Sequence, residues 1–253
     1  KPDEALLRQL AVLSRSGERP EARPPLTGRH RHVADYMMEE LFHGLDEGLK
    51  RFLVSTSILE RMNDSLCAAV VNGAGTGAAL SGLERKGLFL IALDHERCWY
   101  RYHHLFADFL RSRLAGESGP DVAGLHGRAA EWFEKNALMD EAIHHALEAG
   151  AFGKAAVWLE QHATIWLKRR ETTTLQSFLD RLPDEAADRP LIVLLRVWTE
   201  LMTGHYDRVR PRIGVLRESL RRLEADGDRD LLPRLREEVE IVDNFCAVMS
   251  GDF

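Results

Sequence analysis

The stretch from Trp99 to Arg111 changes its period in the middle, and this change constrains the fold more than any other feature. Residues 98–102 alternate as a strand does, whereas residues 103–115 space their apolar side chains as a helix does. An apolar run at 88–93 and a turn at 94–97 precede this stretch, so the sequence predicts a β-hairpin that leads into a helix. It also predicts a junction between a short α/β module and a purely helical region.

Short amphipathic helices are predicted before the hairpin, at 33–43, 47–59, 64–71 and 77–86. Asp46 and Thr76 are candidate N-caps, either Asn63 or Asp64 can cap the third helix, and Gly87 is placed to end the fourth. Three or four short helices followed by a hairpin is the order of a winged-helix domain, which we assign to residues 33–116.

Only helices are predicted after Gly119-Pro120. Their predicted ranges are 121–136, 139–149, 152–168, 172–182, 190–203, 206–225 and 231–249. The pattern Gly-x-Phe/Tyr recurs at Gly150, Gly204 and Gly251, where each glycine is predicted to end a helix and each aromatic residue to wedge between consecutive helices. This indicates a tetratricopeptide-like repeat domain over 121–253, which we expect to continue beyond Phe253.

The predicted fold class is therefore mainly α, with a winged-helix domain that carries a short β-hairpin and an α-helical superhelical repeat domain after it. Residues 4–15 form a further predicted helix, and residues 16–32 have the Pro, Gly and Arg content of a linker. We expect the segment 1–32 to be the end of a region that lies mostly upstream.

Composition narrows the function classes. The net charge of −6 argues against a general nucleic-acid or membrane-surface binder. There is no apolar run near the length of a membrane span and no signal-peptide pattern, so we expect a cytoplasmic protein without membrane contact. Three widely spaced cysteines without a CxxC motif predict reduced and mostly buried thiols.

Motifs for chemistry are weak. Residues 72–78 with Asp94 imitate a dinucleotide-binding fingerprint, but the segment before them reads as a helix instead of a strand, which favours a plain loop. Four histidines, His126, His144, His145 and His162, lack the spacing of a metal site. No nucleophile motif is present, so the sequence predicts no enzyme and no metal.

Direct DNA binding by the predicted winged helix is disfavoured by charge. Residues 35–115 contain nine Lys and Arg against eleven Asp and Glu. The helix predicted at 77–86 offers few side chains that read bases. The Arg-rich segment 206–236 is interleaved with acidic residues, which indicates a solvated face with ion pairs; a groove for a protein or an effector is the alternative. Trp158, Trp166 and Trp198 are predicted to lie in the core.

Several ordered stretches resemble the MalT-like regulators, the large ATP-dependent branch of the LuxR family. They are 33–40, 52–59, 83–90, 99–111, 125–132 and 141–147. The resemblance implies a signal-transduction NTPase module, a winged helix, a superhelical repeat domain and a C-terminal DNA-binding helix-turn-helix. Neither a GxxxxGK[ST] phosphate loop nor that helix-turn-helix is present in this sequence, so it would supply the winged helix and the start of the repeat domain.

The resemblance also implies a role for His103 and His104. In such NTPases a Met-His-Asp type motif places a histidine on the β-phosphate of ADP, and Tyr102-His103-His104-Leu105 aligns with it. Tyrosine replaces methionine and His104 replaces aspartate, so either histidine can be the one that faces the nucleotide. A structural histidine at a strand–helix junction is the alternative reading of the residues alone.

The predicted function is thus a regulatory relay that couples nucleotide state and effector or partner binding to DNA binding by other domains. ATP or ADP would bind the intact protein, with no tight binding expected in this chain. Expected partners are other domains of the same regulator and an inducer or protein on the helical repeat. Residues 116–120 are the candidate hinge of such a relay. The alternative function is a stand-alone helical-repeat scaffold that binds a protein or small effector.

Overall fold

A computed structural model describes residues 38–85, 89–116, 121–226 and 231–250. Residues 38–43 are helical. The elements that follow are α1 (Glu47–Thr56), α2 (Asp64–Val71), α3 (Thr76–Arg85), β1 (Leu90–Ala92), β2 (Tyr100–Tyr102), α4 (His104–Leu114), α5 (Val122–Lys135), α6 (Met139–Glu148), α7 (Phe152–Arg169), α8 (Thr172–Leu179), α9 (Asp184–Ala187), α10 (Pro190–Thr203), α11 (Tyr206–Asp226) and α12 (Leu231–Ser250). The predicted fold class, mainly α with one short hairpin, is confirmed.

The chain forms two compact units, Lys1–Trp132 and Phe133–Phe253. The division falls inside α5, whereas the sequence placed it between residues 116 and 121. The predicted domain limits of 1–32, 33–116 and 121–253 stay predictions. The candidate hinge at 116–120 and the predicted helix cap at Gly87 lie largely or wholly outside the described residues.

Side-chain caps fix where the first helices begin. The Asp46 carboxylate accepts the N–H of Leu49 at 2.9 Å, as predicted for an N-cap. Asn63, and not Asp64, caps α2, because its side chain accepts the N–H of Leu66 at 2.8 Å. Thr76 was predicted to cap the next helix, but it is the first residue of α3 instead.

The hairpin is antiparallel, with Leu90 opposite Tyr102 and Ala92 opposite Tyr100. Both strands are shorter than predicted. Asp94 organises the turn, because its two carboxylate oxygens accept the N–H groups of Cys98 at 2.8 Å and Trp99 at 2.9 Å. Tyr100 also exchanges two backbone hydrogen bonds of 2.8 Å with Met62, which extends the ladder on its other side. No pattern in the sequence predicts this second pairing of β2.

The core of the first unit lies under the hairpin. Its largest buried apolar side chains include Leu53, Met62, Leu66, Leu80, Leu83, Phe106 and Leu110, all at most 3% exposed. Each fully buried side chain of this size contributes roughly 1.5–3 kcal/mol relative to exposure. Cys67, on α2, is buried, whereas Cys98, in the turn of the hairpin, is exposed. The prediction of buried thiols is therefore wrong for Cys98.

In the second unit, consecutive helices turn at glycine. Gly150 and Gly204 have φ of +71° and +80°, the left-handed conformation that the Gly-x-aromatic pattern predicts. Phe152 is half-buried, but Tyr206 is 42% exposed, so the predicted wedge role is wrong for Tyr206. The third copy of the pattern, Gly251 to Phe253, lies outside the described residues. Successive helices joined by short turns are consistent with a helical repeat domain.

Two prolines lie at or near helix boundaries. The predicted helix 172–182 ends at Leu179, and the short α9 follows Pro183, because proline disfavours helical backbone in the residue before it. Helix α10 begins at Pro190 and ends at Thr203, as predicted, and the missing N–H of a proline in the first turn costs no intrahelical bond.

The three tryptophans of the second unit are held by packing and by carboxylates. Trp158 and Trp166 are 5% and 1% exposed, and Trp198 packs half-buried against the cluster formed by α10, α11 and α12. Their indole N–H groups donate to Glu134, Asp140 and Glu238 at 2.9–3.0 Å. The core placement predicted for Trp158 and Trp166 is therefore confirmed, and Trp198 lies at the core's edge.

Candidate functional site

His103 and His104 occupy the junction between β2 and α4. His103 is the N-cap residue of α4, with φ −59° and ψ 137°, and its ring is half-buried. Its backbone is held from two sides, because its N–H donates to Phe89 O at 2.7 Å and its carbonyl accepts the N–H of Ala107 at 2.9 Å. His104 is the first residue of α4 and is exposed, and the two imidazole centroids lie 4.3 Å apart.

The start of α4 has the electrostatics of an anion site. No side chain caps this end of the helix through His103, and the first turn holds no acidic residue. The backbone N–H groups of a first helical turn carry partial positive charge and attract anions. The adjacent imidazoles of His103 and His104 add hydrogen-bond donors at this end of the helix. The arrangement is suited to a phosphate or carboxylate group, with His104 the more accessible of the two side chains.

A buried hydrogen bond fixes the residue just before the histidines. Tyr102 is 4% exposed and Thr56, at the end of α1, is 0% exposed. Their hydroxyl oxygens lie 2.7 Å apart, and the Thr56 hydroxyl donates to Phe52 O at 2.8 Å. The Tyr102 hydroxyl is therefore the donor to Thr56. Burial raises the pKa of Tyr102 far above its ordinary value, which keeps this donor protonated.

Aromatic packing supports the residues just after the histidines. The Phe106 ring stacks on Phe89 at a centroid distance of 4.8 Å and meets Tyr102 edge-on at 5.8 Å. The Phe109 ring meets Phe42 at 5.6 Å. Tyr100 and Phe106 are buried, whereas Trp99 and Phe109 are half-buried. These contacts fix the direction of α4, and so the direction in which its N-terminus points.

A second link ties α4 to the end of α1. Arg111 Nε donates to the carbonyl of Ser57 at 3.1 Å, and the same guanidinium lies 3.5 Å from Asp108. Tyr102 on one side of the histidines and Arg111 on the other thus both contact the residues that end α1. The histidine junction is held in place from both directions.

A groove lies between α1, α3 and the loop that joins α2 to α3. Its volume is about 550 Å³, and small residues, among them Gly48, Ala74, Gly75, Ala78 and Gly82, form much of its lining. The loop follows a helix and not a strand, as the sequence predicted. This order argues against a dinucleotide-binding fingerprint at residues 72–78. The groove was not predicted from the sequence, although the small residues repeated along 74–82 could have indicated it.

The remaining histidines are dispersed. His145 is 3% exposed and stacks on Phe133 at 5.3 Å, and His144 Nδ1 lies 3.3 Å from an Arg181 nitrogen. His126 is 8% exposed. Within the described ranges, no group of three or more His, Cys, Asp or Glu side chains is arranged to hold a metal ion.

The Arg-rich segment forms ion pairs between helices. Arg217 contacts Asp243 at 2.7 Å and Arg236 contacts Glu224 at 2.5 Å, and both pairs join α11 to α12. Arg212 contacts Glu200, whose side chain is only 5% exposed, at 3.0 Å. These contacts agree with the predicted face of ion pairs.

In the described part of the chain no single helix is long and apolar enough to cross a membrane, although α2 and α3 together pass on length and composition as a bent pair.

Comparison with known proteins first identifies a domain family within the first unit. Residues 38–122 match the family described as the MalT winged helix domain, and this range covers α1 to α4 with the hairpin. The first unit therefore contains a winged-helix domain of the MalT type, and the chain is similar in this part to the MalT-like regulators.

A particular relative extends the likeness into the second unit. Over 213 residues, 84% of this chain, the sequence is 32% identical to the HTH-type transcriptional regulator MalT of Cronobacter sakazakii (strain ATCC BAA-894). The chain spans 24% of the length of that protein. The predicted resemblance to the MalT-like regulators is confirmed.

Proposed function

We propose that this chain is the regulatory relay of a MalT-like transcriptional regulator. In this proposal the winged helix reads the phosphate state of a nucleotide held by a neighbouring module of the same protein. The helical hairpins receive an effector or a protein partner, and DNA is bound by another part of the regulator. The observation that carries the proposal is the position of His103 and His104 at the uncapped N-terminus of α4, in a domain of the MalT winged-helix family.

The geometry supports phosphate contact in three respects. The helix start supplies N–H groups, the imidazoles supply side-chain donors, and the first turn of α4 holds no acidic residue that would repel an anion. His104 is exposed and is the side chain that would reach a nucleotide on another domain, whereas His103 is half-buried. We therefore propose that both contribute, with His104 making the outer contact.

The second unit supports the partner half of the proposal. Its exposed large apolar side chains include Val157, Ile165, Met202, Val215, Ile241 and Phe245, each at least 36% exposed. Helical repeat domains bind partners on their extended surfaces, and we propose that some of these side chains contact the protein or apolar effector. Regulation would follow if that binding and the nucleotide state bias the same conformational equilibrium.

The phosphate contact can be tested on the chain itself. Titration with ADP, followed by the imidazole signals in NMR, should shift His103 and His104 at millimolar concentrations. Calorimetry should find no micromolar site, because the chain lacks a phosphate loop. Replacing both histidines, His103→Ala with His104→Ala, should abolish the response, whereas His95→Ala removes an exposed histidine of the same hairpin and should leave it intact.

The relay can be tested in a whole regulator that contains this segment. There, the two histidine substitutions should change the nucleotide dependence of transcription from a reporter promoter. DNA binding by that regulator in the absence of nucleotide should stay unchanged. An unaltered nucleotide dependence, or a fragment response that survives both substitutions, would count against the proposal.

A further inference from the structure

The groove between α1, α3 and the loop that joins α2 to α3 contains a buried hydroxyl without a partner. Ser55 lines the groove and is 5% exposed. The next two residues, Thr56 and Ser57, donate their hydroxyls to carbonyls of α1 at 2.8 Å and 2.7 Å. Across the residues that the structure describes, the Ser55 hydroxyl makes no such bond. A buried polar group without a partner destabilises a fold, so its position in a groove points to a ligand.

A free cation lies beside this hydroxyl. Arg51 lines the same groove one helical turn before Ser55, and residues four apart on a helix are neighbours on one face. Arg51 is exposed, and within the described ranges it forms no ion pair; Glu47, one turn before it, contacts Lys50 at 2.8 Å instead. A guanidinium and a hydroxyl that both lack an acceptor suit a ligand that brings one. A carboxylate fits, because its single charge matches one guanidinium and the fork takes both oxygens.

The rest of the groove is mostly apolar. Phe52, Val71 and Leu83 lie along it, and its volume of about 550 Å³ is typical of a pocket for a small ligand. Asp46, which caps α1, lies at the other end of the α1 wall, about 13 Å along the helix from Ser55. Its negative charge favours one orientation of an anionic ligand, with the charged end at Ser55 and the apolar part along the groove.

We propose that this groove binds a small apolar monocarboxylic acid. Its carboxylate accepts hydrogen bonds from the Arg51 guanidinium and the Ser55 hydroxyl, and its aliphatic or aromatic part packs against Phe52 and the small residues of α3. The inference is separate from the proposed phosphate contact, because neither His103 nor His104 lines the groove.

The probe is sodium octanoate, titrated into the 253-residue chain and followed by the backbone amide signals of Gly75 and Gly82, which line the groove. Octanamide has nearly the same size and no charge, so it is the reference ligand. Octanoate should shift both glycines in a saturable manner and bind about tenfold more tightly than octanamide, as expected for a charge-assisted contact. Equal affinities, or no saturable shift at either glycine, would overturn the inference.

Two substitutions test the two polar contacts. Ser55→Ala and Arg51→Gln should each weaken octanoate binding about tenfold, and Arg51→Gln should leave octanamide binding unchanged. Because the Ser55 hydroxyl has no partner in the free chain, Ser55→Ala should not lower the denaturation midpoint, which separates lost binding from lost folding. Arg101→Gln is the charge control, since Arg101 is an exposed arginine of the same unit outside the groove. An equal weakening by Arg101→Gln, or an unchanged affinity in either groove variant, would overturn the inference.

Filling the groove is an independent test. A Cβ at Gly82 meets nothing within 4 Å, so Gly82→Leu adds a side chain to the groove wall without a clash, and it should abolish octanoate binding. Gly214→Leu is the matched control, because Gly214 lies inside α11 of the other unit and a Cβ there also meets nothing. Binding that survives in Gly82→Leu would overturn the inference. So would a dimer of the unsubstituted chain in sedimentation velocity that Gly82→Leu dissociates, since a second copy would then occupy the groove.

Discussion

The hydrogen bond between Tyr102 and Thr56 makes an asymmetric prediction about stability. Tyr102 donates to Thr56, and Thr56 donates onward to the carbonyl of Phe52. Replacing Tyr102 with phenylalanine removes the first donor and leaves Thr56 with its own bond intact. Replacing Thr56 with valine keeps nearly the same shape but leaves the Tyr102 hydroxyl buried without its acceptor. The two single substitutions break the same bond, yet they should not cost the same.

The magnitudes follow from burial. Loss of an ordinary buried hydrogen bond with no polar group left behind costs about 0.5–1.5 kcal/mol, which is the expectation for Tyr102→Phe. An unsatisfied buried donor costs about 1–3 kcal/mol, which is the expectation for Thr56→Val, since Tyr102 is 4% exposed. The double variant has no stranded group. It should be no less stable than Thr56→Val alone, with a coupling of about 1–2 kcal/mol between the two sites.

The assay is chemical denaturation, with the transition of the first unit identified by hydrogen exchange in α1 and α4 because the chain has two units. Thr199→Val is the matched control. Thr199 is 0% exposed and donates to Leu195 O at 2.8 Å. Its loss removes a similar backbone bond without a tyrosine hydroxyl to strand, and such bonds contribute little to helix stability.

Two outcomes would refute this reasoning. If Thr56→Val costs no more than Tyr102→Phe, the tyrosine hydroxyl is not a stranded donor and the direction of the bond is wrong. If the two substitutions add in the double variant, the hydroxyls do not interact in solution. A cost for Thr199→Val as large as that for Thr56→Val would assign the effect to the threonine backbone bond instead.

Thiol reactivity and two glycines give further predictions. Burial, with a smaller effect of Asp64, raises the pKa of Cys67 to about 12, so at pH 8 its thiol stays protonated. Iodoacetamide labelling followed by mass spectrometry should therefore find Cys98 modified first and Cys67 only upon unfolding. Early labelling of Cys67 would be inconsistent with its burial. Gly82→Ala should stabilise α3 by about 0.5–1 kcal/mol, because a Cβ there meets nothing within 4 Å. Gly204→Ala should cost about 1–2 kcal/mol because its φ is +80°, and denaturation midpoints that shift the other way would contradict either estimate.

The sequence predicted most helices because the signals are local. Asp46 and Asn63 cap helices through side chains that reach only three residues along the chain, and Gly150 and Gly204 need only their own backbone freedom. The order of short helices and one hairpin was enough to predict a winged helix. Errors of one to three residues arose where a helix ends without such a signal, as at Thr56.

The candidate site was predictable only in part. The change of period identified the junction at His103 and His104, and the family resemblance supplied the hypothesis of phosphate sensing. Which histidine is exposed depends on where β2 ends and α4 begins, and a shift of one residue would exchange the two side chains. The pairing of Met62 with Tyr100 and the groove between α1 and α3 depend on contacts between distant residues, which no periodicity reports.

The contacts that hold the histidine junction in place determine how the proposed signal would pass from His103 and His104 to other elements. Tyr102 and Arg111 flank the histidines in sequence, and both contact the last residues of α1, Thr56 and Ser57. A ligand that pulls α4 toward it must therefore either strain these two bonds or carry α1 along. The first route breaks one buried and one partly buried hydrogen bond, whereas the second moves a helix whose Phe52 and Ser55 line the groove. In the proposed relay, a change at the histidines would thus reach a surface on a different element without any rearrangement of the core of the winged helix.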